Sequence, residues 1–236
     1  MNFEKTLISG EFIKRYKRFF VDIKLKKSTV TAHCPNTGSM FGLLNKGNKV
    51  WLSETNNPKR KLKYTLQIIQ DKNAKIGVNT HLANKIVLHA LKKKLIKEFK
   101  DYENIQQEVK FGENSRFDFL ISKKNKRSFI EVKNVTLSRK RGVAEFPDAI
   151  TTRGLKHINE LIKAKKKGYE IYLLYLIQRE DCDNFKIAKD IDPEYFKILI
   201  KSVKKKLNIL CYDCKFSSKG IKLNRRINFK INERNI

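Results

Sequence analysis

The run Phe117-Asp118-Phe119-Leu120-Ile121 is followed, after a basic and turn-forming segment, by Phe129-Ile130-Glu131-Val132-Lys133. Both runs are short, rich in aromatic and branched residues, and bounded by polar residues, which predicts two strands. Because side chains alternate along a strand, Glu131 and Lys133 share one face while Val132 points the other way. If the two strands pair, two carboxylates and one ammonium group meet at one place.

This grouping of Asp118, Glu131 and Lys133 suits a hard divalent cation, Mg²⁺ or Mn²⁺, held beside a phosphate. Carboxylate oxygens bind such a metal, and a lysine can bind an anion or polarise a water molecule. The Glu-x-Lys pattern alone carries little weight, because it also occurs at residues 98–100 and 108–110. Only the third copy lies in an apolar run that follows another apolar run containing Asp. The alternative interpretation is an edge-strand salt bridge between Glu131 and a lysine.

The chain carries a large excess of positive charge. It has 53 Lys and Arg against 24 Asp and Glu in 236 residues, which gives a formal net charge of +29. Such an excess favours a polyanionic partner, nucleic acid first and an anionic membrane second. A codon bias toward Lys, Asn and Ile explains part of it, although that bias would also supply glutamate. Most of the basic residues are Lys, which suits phosphate contacts better than base reading, so we predict largely sequence-independent binding.

The sequence offers little that indicates a membrane or an oxidising compartment. No apolar run approaches membrane-spanning length, and Glu4 and Lys5 interrupt any signal-peptide pattern at once. We therefore expect a cytoplasmic protein without a membrane partner. Cys211 and Cys214 form a lone Cys-x-x-Cys within a predicted strand, which favours reduced structural thiols over a zinc site.

The N-terminal third contains about five short strand-like runs, separated by Gly, Asn and Pro. They are residues 10–13, 19–23, 29–32, 49–52 and 64–69. This number of strands in so short a length predicts a small barrel, with the OB-fold as the leading candidate. Basic and aromatic residues alternate at 14–20 and 59–64, as in a groove that tracks phosphates and stacks bases. The candidate contacts are Arg15, Lys17, Arg18 and Arg60; the alternative places the aromatic rings in the core and the basic groups in water.

The remainder of the chain alternates between strand and helix patterns. After the two acidic strands and a helix over about 80–100, the pattern predicts a helix over 149–167, a buried central strand over 171–177, a helix begun by Asp192-Pro193-Glu194 that ends near 206, and a last strand over 209–212. The fold class is therefore α/β with an all-β N-terminal part. We predict an OB-like domain over residues 1–80 and a second domain over residues 81–236.

Three segments together resemble the sugar fermentation stimulation protein A (SfsA) family. They are residues 33–40 (HCPNTGSM), 131–137 (EVKNVTL) and 146–154 (FPDAITTRG), and residues 15–19 and 78–80 add to the match. The resemblance spans nearly the whole chain, and the combination is far more specific than any one segment.

The resemblance implies an N-terminal OB-like domain and a C-terminal domain of the PD-(D/E)xK restriction-endonuclease type. It places Asp118, Glu131 and Lys133 on the nuclease motif and makes Glu108 the candidate for the upstream acid. Glu108, Asp118 and Glu131 are then the expected ligands of Mg²⁺ or Mn²⁺. One departure is Leu155, at a position that is usually polar in the family.

Two further segments supply candidate site residues. Arg153 and His157 share one helical face, as do Thr152 and Lys156, because they are four residues apart. Arg153 and Lys156 are candidate phosphate contacts, while Thr152 and His157 would support the acidic residues. Residues 33–40 contain a tight turn by composition, with His33, Asn36 and Thr37 as candidates to cradle a phosphate or to meet the neighbouring domain over the acidic site. The alternatives are a surface histidine and a simple turn between strands.

Two functions of different classes remain at this point. The first is a DNA-binding protein of the SfsA type, which the family description links to regulation of sugar metabolism, on a nuclease-like scaffold. The second is a Mg²⁺-dependent DNA endonuclease that uses Asp118, Glu131 and Lys133. A binding protein has no need to bury two acids that repel phosphate unless a metal is bound. Fold alone does not establish activity, so catalysis and the strandedness of the DNA stay open.

Overall fold

A β-barrel and an α/β part make up the chain in the computed structural model, which describes residues 1–112 and 115–229. The barrel strands are β1 (Ile8–Tyr16), β2 (Phe20–Lys24), β3 (Thr29–His33), β4 (Lys49–Glu54), β5 (Tyr64–Asp71) and β6 (Ala74–Gly77). They pair in the order β3-β2-β1-β4-β5-β6, and a parallel contact between β3 and β5 closes the barrel. All five predicted strands are confirmed, and β6 is an addition that the sequence pattern did not predict.

The α/β part follows from residue 80 onward. Its elements are α1 (Ala83–Lys92), β7 (Asn104–Phe111), β8 (Ser115–Lys123), β9 (Lys126–Val135), β10 (Leu137–Lys140), β11 (Gly142–Phe146), α2 (Thr152–Lys166), β12 (Glu170–Ile177), β13 (Cys182–Ile187), α3 (Pro193–Lys204), β14 (Asn208–Phe216), β15 (Ile221–Arg226) and β16 (Asn228–Phe229). The main sheet has the order β15-β14-β12-β9-β8-β7, and a smaller one has the order β10-β11-β13-β16.

Strand β12 lies at the centre of the main sheet, parallel to both β9 and β14. Its side chains are buried on both faces: Leu174 and Leu176 pack with α1, while Leu173 and Tyr175 pack with α2 and α3. A parallel strand covered on both sides reads as a continuous apolar run, because no face meets water. The prediction of a central strand here is confirmed.

The first predicted helix is shorter than expected. A 3₁₀ turn over Thr80–Leu82 leads into α1, which ends at Lys92, and a second 3₁₀ turn covers Lys97–Phe99. Lys94 has a φ of +54°, so the chain leaves the helix there. The apolar spacing continued past this point because Ile96 and Phe99 are buried by the returning chain rather than by a helix face. The strand predicted over 209–212 is also not the last, since β15 returns antiparallel beside β14.

The four cysteines, Cys34, Cys182, Cys211 and Cys214, are all buried and free, as the sequence indicated.

No helix in the described ranges is long and apolar enough to cross a membrane.

Asp192 joins the starts of two helices. Its Oδ1 accepts a hydrogen bond from the Tyr195 amide at 2.9 Å, and its Oδ2 accepts one from the Thr151 amide at 2.9 Å. The side chain of Asp192 is buried, so Asp192→Ala leaves two amides without partners and is expected to lower the free energy of unfolding by about 2–4 kcal/mol. Urea denaturation measures this. Asp190→Ala, at an exposed carboxylate, is the control, and an equal loss there would contradict the capping role.

Candidate active site and nucleic-acid interface

The strands β8 and β9 separate at the acidic residues. Their regular pairing runs from Lys123 opposite Lys126 to Phe119 opposite Ile130 and stops there. The next residue of β8 is Asp118, whose Oδ2 accepts a hydrogen bond from the Val132 amide at 2.7 Å. The carboxylate thus takes the place of a main-chain partner where the ladder ends. This local irregularity fixes Asp118 beside the next residues of β9.

A second contact to Asp118 comes from helix α1. The Asn84 side-chain amide donates to Asp118 Oδ1 at 2.7 Å. Asn84 was not predicted from the sequence, because it lies 34 residues from its partner and no local pattern distinguishes it from the other asparagines. Both oxygens of Asp118 are therefore positioned, one by the sheet and one by the helix.

Glu131 and Lys133 form the other half of the site. The Glu131 side chain is 3% exposed, and Lys133 Nζ donates to its Oε1 at 2.8 Å. His157 Nδ1, on α2, contacts the same oxygen, and it lies 3.4 Å from Lys133 Nζ. Glu131 Oε2 is buried and has no hydrogen-bond partner. Such an atom is rare in a folded protein and marks a place where another group can bind.

The two carboxyl groups differ in their electrostatics. Burial, and then the charge of Glu131, raises the pKa of Asp118 to about 6. Burial also works to raise the pKa of Glu131, but Lys133 and His157 outweigh it, and that pKa is lowered. Two acids that share one site destabilise each other when both are charged. A cation bound between them would remove this repulsion.

These residues fit a divalent metal ion with few protein ligands. Among residues 1–112 and 115–229, no group of three or more His, Cys, Asp and Glu side chains is arranged to hold a metal. Mg²⁺ characteristically binds through one or two carboxylates and completes its shell with water and phosphate oxygens. Asp118 and the unpartnered Oε2 of Glu131 supply that kind of donor set.

Glu108 lies outside this pair. It occupies an irregular position of the edge strand β7 opposite Asp118, with a φ of +54°, and the regular pairing skips it. Its carboxylate is 57% exposed and lies 3.4 Å from Arg116 Nη1. The structure thus pairs Glu108 with Arg116 instead of placing it with the other two acids, and its role as a metal ligand stays a prediction.

Helix α2 carries the remaining predicted groups of this region. Thr151 caps the helix by accepting a hydrogen bond from the Gly154 amide at 3.0 Å. His157 faces Glu131, and Arg153 Nε lies 3.4 Å from its other ring nitrogen. Thr152, Arg153 and Lys156 are exposed on the same helix.

The turn at residues 35–38 meets the α/β part. Arg15 donates to the carbonyls of Asn36 at 2.6 Å and Gly38 at 2.9 Å, and Thr80 Oγ1 donates to the Pro35 carbonyl at 2.8 Å. A Cβ on Gly38 would lie 2.1 Å from Asp148 Oδ2, so any larger residue would require the Asp148 side chain to move. The structure therefore engages Arg15 in holding this turn, whereas the sequence had suggested a phosphate contact.

The same turn borders a cavity of about 290 Å³. Asn36 and Thr37 line it on one side, and residues 134–137 and 145–151 line the other. Val135 is among them, and it lies on the same face of β9 as Glu131 and Lys133. The cavity is thus next to the acidic site, between the barrel and α2.

The other predicted basic contacts lie on the barrel. Lys17 and Arg18 form the exposed turn between β1 and β2, both with positive φ. Arg60 lies in the loop between β4 and β5, where its Nη2 donates to Thr65 Oγ1 at 3.1 Å. Burial, and then the charges of Arg60 and His81, lower the pKa of His33, so cationic groups converge around this ring.

Comparison with known proteins agrees with this architecture. Residues 81–220 match the family described as sugar fermentation stimulation protein RE domain, and residues 13–78 match the SfsA N-terminal OB domain. The chain belongs to the sugar fermentation stimulation protein family. The SfsA assignment expected from the sequence is confirmed, as is the combination of an OB barrel with a PD-(D/E)xK restriction-endonuclease-like α/β part.

Relatives in the SfsA family match over nearly the whole chain. A sugar fermentation stimulation protein homolog from Pelagibacter ubique is 56% identical, and the match covers 96% of this chain and 98% of the relative. A homolog from Maricaulis maris is 41% identical over 99% of this chain and 100% of its own length. The solved structure of Pyrococcus furiosus SfsA in complex with Ca²⁺ is 24% identical, covers 98% of both chains and superposes with a TM-score of 0.86, which shows a shared fold.

Proposed function

We propose that the protein binds DNA and hydrolyses its phosphodiester bonds at the site formed by Asp118, Glu131 and Lys133. The observation that carries this proposal is the buried Glu131, whose Oε2 has no partner beside a second carboxyl group of raised pKa. An ion pair with a purely structural role would be expected to satisfy both oxygens of Glu131. It would also have no need of a second carboxyl group, Asp118, whose charged form Glu131 destabilises. The site is arranged for a cation that arrives with the substrate.

Each residue of the site has a distinct role in the proposed reaction. Asp118 and Glu131 would hold Mg²⁺ or Mn²⁺, which supplies an activated water and charge stabilisation for the phosphate when bound. Lys133, held on Glu131 Oε1, places an ammonium next to the developing negative charge. His157 fixes Glu131 from the other side, and Asn84 fixes Asp118. Arg153 and Lys156, on the exposed side of α2, are proposed phosphate contacts.

We also propose that residues 1–80 and residues 81–236 act as two domains, the first of which delivers DNA to the second. Lys17, Arg18 and Arg60 would hold the backbone on the barrel. In this scheme the Arg15-clamped turn and its cavity join the two domains near the acidic site. The solved Pyrococcus furiosus SfsA is a complex with Ca²⁺, which supports a divalent cation at the proposed site.

A second candidate function is DNA binding without cleavage, as in a regulator of sugar metabolism. The pairing of Glu108 with Arg116 favours it, because the third acid expected of the nuclease motif is turned away from the site. The experiment that separates the two functions incubates supercoiled plasmid, linear duplex and single-stranded DNA with the protein, in Mg²⁺, Mn²⁺ or chelator. Metal-dependent cleavage supports the nuclease, and binding without cleavage supports the regulator.

Affinity for DNA is expected to fall steeply with salt. Each phosphate contact by Lys or Arg releases condensed counterions, so six such contacts lower affinity by about 10³-fold between 50 and 200 mM salt. Lys17→Ala and Arg60→Ala should each reduce the logarithmic salt slope by about one. Fluorescence anisotropy in chelator measures this, with Lys26→Ala, at the opposite end of β2, as the control. A slope near zero for the unmodified protein would rule out electrostatic DNA binding.

A further inference from the structure

A row of aromatic side chains crosses the outer face of the barrel. In the register of the sheet, Tyr16 on β1 lies opposite Phe20 on β2, and Phe20 lies opposite His33 on β3. Paired residues of neighbouring strands point to the same face. That face is the outer one, because the adjacent Val21 and Ala32 are fully buried in the barrel core. The Tyr16 and Phe20 rings stack with centroids 5.5 Å apart at 14°.

Phe19 extends this row above His33. Their rings are nearly parallel, with 20° between the planes and centroids 6.4 Å apart. Phe19 is 43% exposed and Tyr16 is 37% exposed, so two of the five most exposed large hydrophobic side chains of the described chain belong to this row. Lys14 Nζ lies over the Tyr16 ring, 5.6 Å from its centroid. Partly exposed aromatic rings beside basic residues are the usual platforms for unpaired bases.

The row leads into a basic cavity of about 650 Å³ between the barrel and α1. His33 lies opposite Thr65, which accepts the hydrogen bond from Arg60, and both His33 and Arg60 line the cavity. His81 and Lys85 line it from the helical side. In the described part of the chain, neither Arg60, His81 nor Lys85 forms a salt bridge with an acid.

Three basic side chains, Lys5, Arg60 and Lys85, outnumber the two acidic ones that line this cavity. Glu4 and Glu54 also line it, but Glu54 is already paired with Lys63 at 2.7 Å. The cavity is therefore a concave surface with unpaired cationic groups, which suits phosphate oxygens.

Helix α1 connects the cavity with the acidic site. Lys85, which lines the cavity, follows Asn84, which binds Asp118. From Tyr16 to Thr65 the row crosses β1, β2, β3 and β5, a width of roughly 14 Å at the usual strand spacing. That width accommodates more than one nucleotide. Helix α1 therefore carries, at consecutive positions, one residue that binds Asp118 and one that lines the basic cavity beside the aromatic row.

We propose that the DNA this protein takes is single-stranded, with unpaired bases stacked on Tyr16, Phe19, Phe20 and His33 and the backbone passing Arg60, His81 and Lys85 toward Asp118. The inference rests on the proposed function and specifies its substrate class. In a duplex, both faces of each base are covered by neighbouring bases, so they cannot stack on a protein ring. Single-stranded and duplex DNA can both form phosphate contacts, so the aromatic rings provide the selectivity for the single strand. The barrel face of strands 2 and 3 is the one that OB-folds use for oligonucleotides.

Fluorescence anisotropy in chelator tests this with a labelled thymine-only oligonucleotide and a duplex of the same length. The unmodified protein is expected to bind the single strand at least about tenfold more tightly. Tyr16→Ala and Phe19→Ala should each weaken single-strand binding about tenfold and leave duplex binding within about twofold, since each removes one stacking surface. Thermal denaturation of each variant verifies that the barrel remains folded.

Phe41→Ala is the matched control, because Phe41 is 60% exposed and lies outside the row. It should change neither affinity. Equal affinities of the unmodified protein for single strand and duplex would overturn the inference while leaving the proposed DNA binding intact. So would single-strand binding that is unaffected in both folded row variants. Absence of salt-sensitive binding to either DNA would instead remove the proposed function itself.

Discussion

Lys133→Ala is expected to abolish metal-dependent DNA cleavage, with a rate loss of about 10²- to 10⁴-fold. Lys133 is nearly buried and its Nζ contacts Glu131 Oε1, and among the described residues no other Lys or Arg side chain reaches that oxygen. Asp118→Asn should cause a comparable loss, because it removes one of the two carboxylates available to a metal. The assay follows conversion of supercoiled plasmid, and cleavage of a single-stranded oligonucleotide, in Mg²⁺ and in Mn²⁺.

The chain supplies its own matched control for this experiment. Lys110 belongs to another Glu-x-Lys sequence, but it is exposed on the edge strand β7. Lys110→Ala should retain full cleavage. Both site variants should still bind DNA in chelator within a fewfold of the unmodified protein. Cleavage that persists undiminished in Lys133→Ala and Asp118→Asn would place the activity elsewhere, and a protein that never cleaves would leave the DNA-binding regulator as the function.

The metal-free protein is expected to lose stability as the pH rises through about 6, and Asp118→Asn should remove much of this loss. Burial and Glu131 raise the pKa of Asp118 from its ordinary 3.8 to about 6 in the folded state. The folded protein thus holds this proton more tightly than the unfolded chain does. The stabilisation is complete below about pH 4 and is lost as the pH rises through 6. Thermal denaturation in chelator at pH 4.5, 6 and 8 measures it.

Divalent metal should reverse this dependence. Protons and metal compete for the same carboxylates, so Ca²⁺ should raise the melting temperature more at pH 8 than at pH 5. Asp190→Asn is the control, because the hydrogen bond from Arg139 lowers the pKa of Asp190 to about 2, outside this range. If the unmodified protein and Asp118→Asn show the same dependence of melting temperature on pH and on Ca²⁺, Asp118 is neither the titrating group nor a metal ligand.

Much of the architecture could be predicted because its signals are local. The five barrel strands, the central strand β12 and the start of α3 each follow from a contiguous run of residues and its boundary signals. The smaller sheet formed by β10, β11, β13 and β16 was missed. Its strands are short, and β13 pairs with β11 and β16 from distant segments, so no single run has enough apolar alternation to predict the sheet.

The residue pattern alone predicts that Asp118, Glu131 and Lys133 come together, because β8 and β9 form a hairpin and strand alternation places their side chains. What surrounds these three residues depends on tertiary packing. Asn84 reaches Asp118 from 34 residues away, and His157 reaches Glu131 from 26 residues away. Contacts of this kind depend on how helices pack on the sheet, which no local pattern encodes.

The same distinction holds for Glu108 and Arg15. The family resemblance predicted Glu108 as a metal ligand, and the mixture of basic and aromatic residues predicted Arg15 as a DNA contact; both stay predictions. In the folded chain a backbone irregularity pairs Glu108 with Arg116, and the turn at residues 36–38 occupies the Arg15 guanidinium. Residue type determines which bonds a side chain can form. Tertiary packing determines which complementary group lies nearest to a charged side chain. The side chain binds that group.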